Sequence, residues 1–152
     1  MITIDNATEE DIFEFSENIR PMDEKEVEVV SGKTLKEHLG FLLAHLEDVR
    51  VLKCDGVLLG IGNWYQYMMD WGIYSDGVIG WLLLTNAVKD HKIEFLRWSK
   101  GVVKDLLSAY PYITNTLYAK NELHVKYLDF LGASFWEDPF RKDIWHFIIE
   151  RR

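Results

Sequence analysis

The sequence predicts an α/β (α+β) fold: a mixed central sheet of about six to seven strands flanked by four helices. Three stretches carry that expectation. Val78–Thr85 has no charge and is almost wholly apolar, as befits a strand covered on both faces. A long amphipathic helix, from about Lys92 to Ala109, comes next. Asn121–Phe135 then reads as a helix returning to sheet, with both helix ends marked in the sequence.

Length and composition suit one domain, 1–152, long enough to hold a core without covalent staples. Hydrophobic residues make up 48% and aromatics 14%, with six Trp, so core material is plentiful. Cys54 is the sole cysteine, which excludes an intrachain disulfide framework and points to a half-buried strand residue. The net charge of -8, with no basic run, lacks the electrostatic footprint of a nucleic-acid binder. It favours cationic ligands or a basic protein surface instead. Met1–Asp5 has neither a basic nor an apolar signal region, and no apolar stretch reaches membrane-spanning length. The expectation is a soluble intracellular protein without a signal peptide.

Taken in order, Ile2–Asp5 reads as a strand. Thr8-Glu9-Glu10-Asp11 is a capping-box-like start, with Ile12, Phe13, Phe15 and Ile19 as the apolar side and Pro21 as the stop. Arg20–Glu28 carries Asp23, Glu24, Glu26 and Glu28 and reads first as a solvated connector. Thr34-Leu35-Lys36-Glu37 is a full capping box. It opens a helix with Leu35, Leu39, Leu42, Leu43 and Leu46 on one stripe. His38 and His45 lie off that stripe and read as surface histidines. Two such residues without further ligands make no metal site.

Val49–Cys54 and Val57–Trp64 flank Asp55-Gly56, a strong signal for a type I′ hairpin. Gly60 and Gly62 suggest a bulge or close backbone packing in the second strand. The aromatic cluster Tyr65–Tyr74, with Tyr67, Met68, Met69 and Trp71, fits core or subunit interface. Ser75-Asp76-Gly77 reads as a turn into the central strand. On the long helix, Arg97, Lys100, Lys104, Asp105 and Ser108 form the outer stripe. Ile93, Phe95, Leu96, Val102, Val103, Leu106 and Leu107 lie inside, and Pro111 ends it. Asn115–Ala119 is a strand, and two more follow at Ala133–Glu137 and Ile144–Glu150.

In the helix after Asn115–Ala119, Asn121 suits the N-cap. Glu122, Lys126 and Asp129 make a solvent face, and His124, Tyr127, Leu128 and Leu131 a buried one. Gly132 falls where the exit needs positive φ. This unit resembles motif B of the GNAT (Gcn5-related N-acetyltransferase) superfamily, commonly Asn-x-x-Ala-x-x-x-Tyr-x-x-x-Gly-Phe. Asn121 and Gly132 keep the family's separation, but His124 holds the alanine position and Leu128 that of the general-acid tyrosine. Tyr127 lies one residue earlier, about 100° around the helix. A narrower resemblance is to the small internal virion (internal core) proteins of T7-like podophages. Trp81-Leu82-Leu83-Leu84-Thr85, Asn121, His124, Leu128, Gly132, Ala133 and Phe135 carry it.

The resemblance implies a GNAT-like sheet and, for an active member, acetyl-CoA with its pyrophosphate on backbone amides after the central strand. Leu84, Thr85, Asn86, Lys89, His91, Lys92 and Asn121 would then be the cofactor-binding candidates. Tyr127 and His124 would be the catalytic ones, and Asp23, Glu24 and Glu26 would recognise a cationic amine. The family's Arg/Gln-x-x-Gly-x-Gly/Ala is missing, since Asn86–Ile93 contains no glycine. Residues with a Cβ resist the positive φ of a tight anion nest. Lys89, His91 and Lys92 offer charge in its place, or serve as ordinary solvated residues. Leu128 cannot return a proton to a thiolate, and no carboxylate lies on Trp81–Thr85 or Asn115–Ala119. Tyr127 and His124 fit the core better than they fit catalysis, Tyr127 as a packed ring and His124 as a structural histidine bonded to a neighbouring strand.

The resemblance thus implies a phage internal virion or morphogenesis protein with a degenerate cofactor site. It would work by protein–protein interaction in the virion or the host cytoplasm. Its partners would be other phage virion or host proteins, with a homo-oligomer open and no nucleic acid, membrane or metal involved. The alternative is an active N-acetyltransferase acting on a small amine or a host protein lysine. An acidic decoy of nucleic acid is a weaker third reading, because charges of both signs are spread along the chain.

Overall fold

The computed structural model describes residues 1–68 and 74–151. The elements run β1 (Ile2–Asn6), α1 (Glu9–Asn18), α2 (Pro21–Ser31), α3 (Leu35–Ala44), β2 (Arg50–Cys54), β3 (Val57–Met68) and β4 (Tyr74–Leu84). They continue with α4 (Lys92–Ala109), β5 (Tyr112–Tyr118), α5 (Glu122–Phe130), β6 (Ser134–Glu137) and β7 (Ile144–Glu150). The seven strands form one mixed sheet in the order β1-β2-β3-β4-β5-β7-β6. Among the described residues five α-helices stand where four were expected. The chain divides into two compact units, 1–63 with 82–98, and 64–81 with 99–152.

In the first unit β1, β2 and the start of β3 pair antiparallel. Asp55 and Gly56 have φ of 49° and 85°, the type I′ pattern that the sequence calls for. The register slips between Leu52, opposite Gly60, and Lys53, opposite Leu58, so Leu59 is the extra residue of a bulge. A Cβ on Gly60 would stand 2.5 Å from the Leu83 carbonyl oxygen, so close packing and a bulge are both present. Phe15, Ile12, Leu59, Ile61, Val49 and Val51 are the fully buried apolar side chains of this unit.

Thr8 forms its capping box with Asp11. Phe13, expected inside, is exposed. Thr34 accepts from the Glu37 amide at 3.2 Å, but the Glu37 carboxylate meets the Thr34 hydroxyl, so the box is half made. His38 and His45 are half-buried rather than exposed, and His45 lies 4.4 Å from the Phe41 ring.

The largest departure is α2. Arg20–Glu28 is no connector: Pro21 opens a helix instead of only ending one, because its fixed φ and missing N–H suit the first helical position. Gly32 closes it at φ 72°. Asp23 and Glu26, which composition assigns to solvent, are buried.

In the second unit β4 runs parallel to β5 at Val78↔Ile113 and Ile79↔Thr114. β5 then pairs with β7 over its whole length, and β6 adds to the outer side of β7. Ser75, Asp76 and Gly77 lie within β4 rather than in a turn. Gly77 is needed there because a Cβ would collide with the Tyr112 ring. Val78, Ile113, Leu117, Leu128, Phe147 and Ile149 form the buried cluster, with Tyr127 and Leu131 packed at its margin. The outer stripe of α4 is exposed as expected, while Ile93, assigned to the inside, is exposed too. Of the aromatic cluster, Met69 and Trp71 lie outside the described residues.

Candidate functional site

The candidate residues fall into three groups, each held by its own elements. The first is the α2 entrance. Asp23 sits three residues from Arg20, and the guanidinium reaches its Oδ1 at 2.9 Å. Its Oδ2 accepts from the Leu84 amide at 2.7 Å, while the Arg20 amide donates to the Leu84 carbonyl at 2.9 Å. Asp23 therefore ties the start of α2 to the last residue of β4. Charge-assisted bonds of this kind are the strong ones, and the buried carboxylate is compensated by both partners. Glu26 is buried as well, and Glu24 is half-buried.

The second group follows β4. Thr85 is fully buried, its amide donating to the Leu59 carbonyl and its hydroxyl to the Leu58 carbonyl, each at 2.8 Å. Asn86–Asp90 forms a 3-10 turn that Thr85 caps. The Ala87 amide donates to Thr85 Oγ1 at 3.3 Å, the Val88 amide to the Thr85 carbonyl at 3.3 Å, and the His91 amide to the Val88 carbonyl at 3.1 Å. Among the described residues only Asp55 and Asp143 combine a side chain with positive φ. Asn86–Ile93 thus has no nest of the glycine-rich kind, and three of its amides are engaged within the turn. Asn86, Lys89 and Lys92 are exposed, and His91 is half-buried.

The third group is on α5. The Tyr127 hydroxyl donates to Ser99 Oγ at 2.7 Å. Burial pushes its pKa up to about 12, with the Ser99 hydrogen bond pulling the other way. A phenol held so high keeps its proton through the neutral range. His124 is half-buried beside the fully packed Leu128. Asn121 is fully buried and stands at the N-cap position, but its side chain does not cap the helix, contrary to expectation. Gly132 has φ 93°, and the Ala133 amide returns to the Leu128 carbonyl, the closure expected of a helix ending on glycine. On β5, Asn115 Nδ2 donates to the Gly80 carbonyl at 3.0 Å, so a side chain continues the bonding just past the Ile79↔Thr114 pair.

One grouping escaped the sequence. The Cys54 thiol donates to Glu94 Oε2 at 3.2 Å, and the His91 ring stands beside them. Thirty-seven or more positions separate Cys54 from the other two, and no local spacing could have joined them. Cys54 is fully buried rather than half-buried.

Element order and sheet topology define this chain as an N-acetyltransferase-type fold of the GNAT class. The aminoglycoside acetyltransferase AAC(6')-Ib, solved with ribostamycin and coenzyme A, is similar at a TM-score of 0.70 and 17% identity, over 99% of this chain and 93% of that one. An N-acetyltransferase from Staphylococcus aureus Mu50 aligns at 0.60 and 12%, over 100% and 99%. The GNAT domain of S. lividans PAT aligns at 0.61 and 10%, over 97% and 89%. Residues 48–139 match the family described as "Bacteriophage T7, probable scaffold protein Gp13", and the chain belongs to that family. No curated protein sequence matches it.

Proposed function

We propose that this protein serves phage virion morphogenesis by binding other proteins, on a GNAT fold whose cofactor site is degenerate. The observation that carries the reading is the 3-10 turn Asn86–Asp90, where the Ala87, Val88 and His91 amides are engaged internally. A diphosphate would have to displace those bonds, or rely on the side chains of Lys89, His91 and Lys92. Such point charges in water hold a ligand weakly. Two further observations weigh against the amine acetyltransferase alternative. The Asp23 carboxylate is engaged by Arg20 and Leu84, and the buried Tyr127 hydroxyl is committed to Ser99.

The surface suits assembly. Trp136 is exposed on β6, the strand at the sheet border, and Phe140 in the loop beyond it is 94% exposed. Aromatic side chains in the open are the usual anchors of protein interfaces. The net charge of -8 favours a basic partner surface. Virion proteins of the same phage, or host proteins met in the cytoplasm, are the partners this implies. A thermal melt with acetyl-CoA at millimolar concentration tests the reading. No change in Tm is expected, whereas a clear rise would mark a bound cofactor, since a ligand stabilises by mass action.

A further inference from the structure

We propose that Cys54, His91 and Glu94 form a binding site for a zinc-like divalent cation, independent of any acetyl-CoA chemistry. Cys54 ends β2, His91 stands just before α4 and Glu94 lies in its first turn, all within the first compact unit. Their ligand atoms, one sulfur, one imidazole nitrogen and one carboxylate oxygen, lie within 4.8 Å of one another. His91 is half-buried and Glu94 exposed, so neither side chain is fixed in the core and both are free to adjust toward an ion.

Chemistry selects the ion. A thiolate with an imidazole and a carboxylate suits zinc, while magnesium and calcium want oxygen alone. The Cys54 thiol already directs its proton at Glu94. Binding would break that S–H bond, form the sulfur–metal bond and release the proton to solvent. Asp55, whose Oδ2 lies 3.9 Å from Cys54 Sγ, or a water would complete four-fold coordination.

An incoming ion would displace the cation that now rests on this edge. The Met1 ammonium lies 2.6 Å from Asp55 Oδ1 and 3.3 Å from Glu94 Oε2. The other grouping of the kind among the described residues, His45, Glu47 and Asp48, has no thiol. It also comes from a single short turn, so it offers little to distinguish it from ordinary surface charge.

Titrating the full-length, chelator-treated chain with Co2+ tests the site. We expect one equivalent to bind, with a thiolate-to-cobalt charge-transfer band in the near ultraviolet that Zn2+ removes. Cys54→Ser should abolish the band, and His91→Ala and Glu94→Gln should each weaken binding by about tenfold or more. His45→Ala should change nothing. Because Cys54 is buried, its variant could misfold. The half-buried His91 then decides the matter, and Co2+ affinity unaltered by His91→Ala overturns the proposal. Absence of a charge-transfer band in the unmodified protein, or loss of binding in His45→Ala, overturns it equally.

Discussion

Tyr127 combines burial with a hydroxyl already engaged. It packs at the margin of the buried cluster one residue before Leu128, and its hydroxyl is bonded to Ser99, itself buried. Burial raises the phenol to about 12, so between the ordinary value near 10 and that point the folded chain keeps a proton the unfolded chain has lost. Stability should therefore fall as pH rises through about 10 to 12. Tyr127→Phe should remove that alkaline loss while costing about 1 kcal/mol at neutral pH from the deleted hydrogen bond. Denaturant melts of both forms at pH 7 and in the alkaline range would read the two effects separately.

Asp138 gives the opposite sign. Amides of Phe140 and Arg141 and the His146 ring all bond its carboxyl, and the first of these does most to hold it down at about 2. The stability it contributes is present above the unfolded value near 4 and is lost as pH falls through about 2. The stability gap between the native chain and Asp138→Asn should thus narrow steadily over that interval. A gap that stays constant down to pH 2 would show that the carboxylate is not what holds the loop.

Among the elements, those whose ends rest on local backbone chemistry were legible from the sequence. Asp55-Gly56 and Gly132 need positive φ, and only a few residue types supply it. Helix α2 was not legible, because its two buried carboxylates read as solvent. What allows the burial of Asp23 includes a guanidinium three residues back and an amide on β4, sixty-one positions away. Ser75–Gly77 misled for a related reason: turn propensity lost to strand pairing, with the glycine kept for the neighbouring Tyr112 ring. Gly60 was legible in kind, since a glycine inside a strand marks a bulge or a close approach. Both hold here, so Gly60→Ala should cost about 1–3 kcal/mol, because the Leu83 carbonyl belongs to the backbone and cannot simply rotate away. Urea denaturation would measure it.

At the scale of the whole molecule, element order carried the fold. Alternating strands and helices of the right lengths leave few ways to arrange a sheet, and the observed order is one of them. The candidate site was legible only as an omission, the missing glycines after β4. What replaces them, a capped turn, depends on Thr85 accepting from the Ala87 amide. The metal-ligand trio was hidden altogether, because its members meet only when β2 and the entry to α4 do.

The Thr85 cap constrains any redesign of the turn it starts. Glycine placed at Val88 or Asp90 would soften the helix-like bend, yet the hydroxyl at Thr85 would go on accepting from Ala87. That hydroxyl also reaches the Leu58 carbonyl, so replacing Thr85 would disturb the sheet beside it. Building a phosphate-binding loop here would therefore take several coordinated changes rather than one.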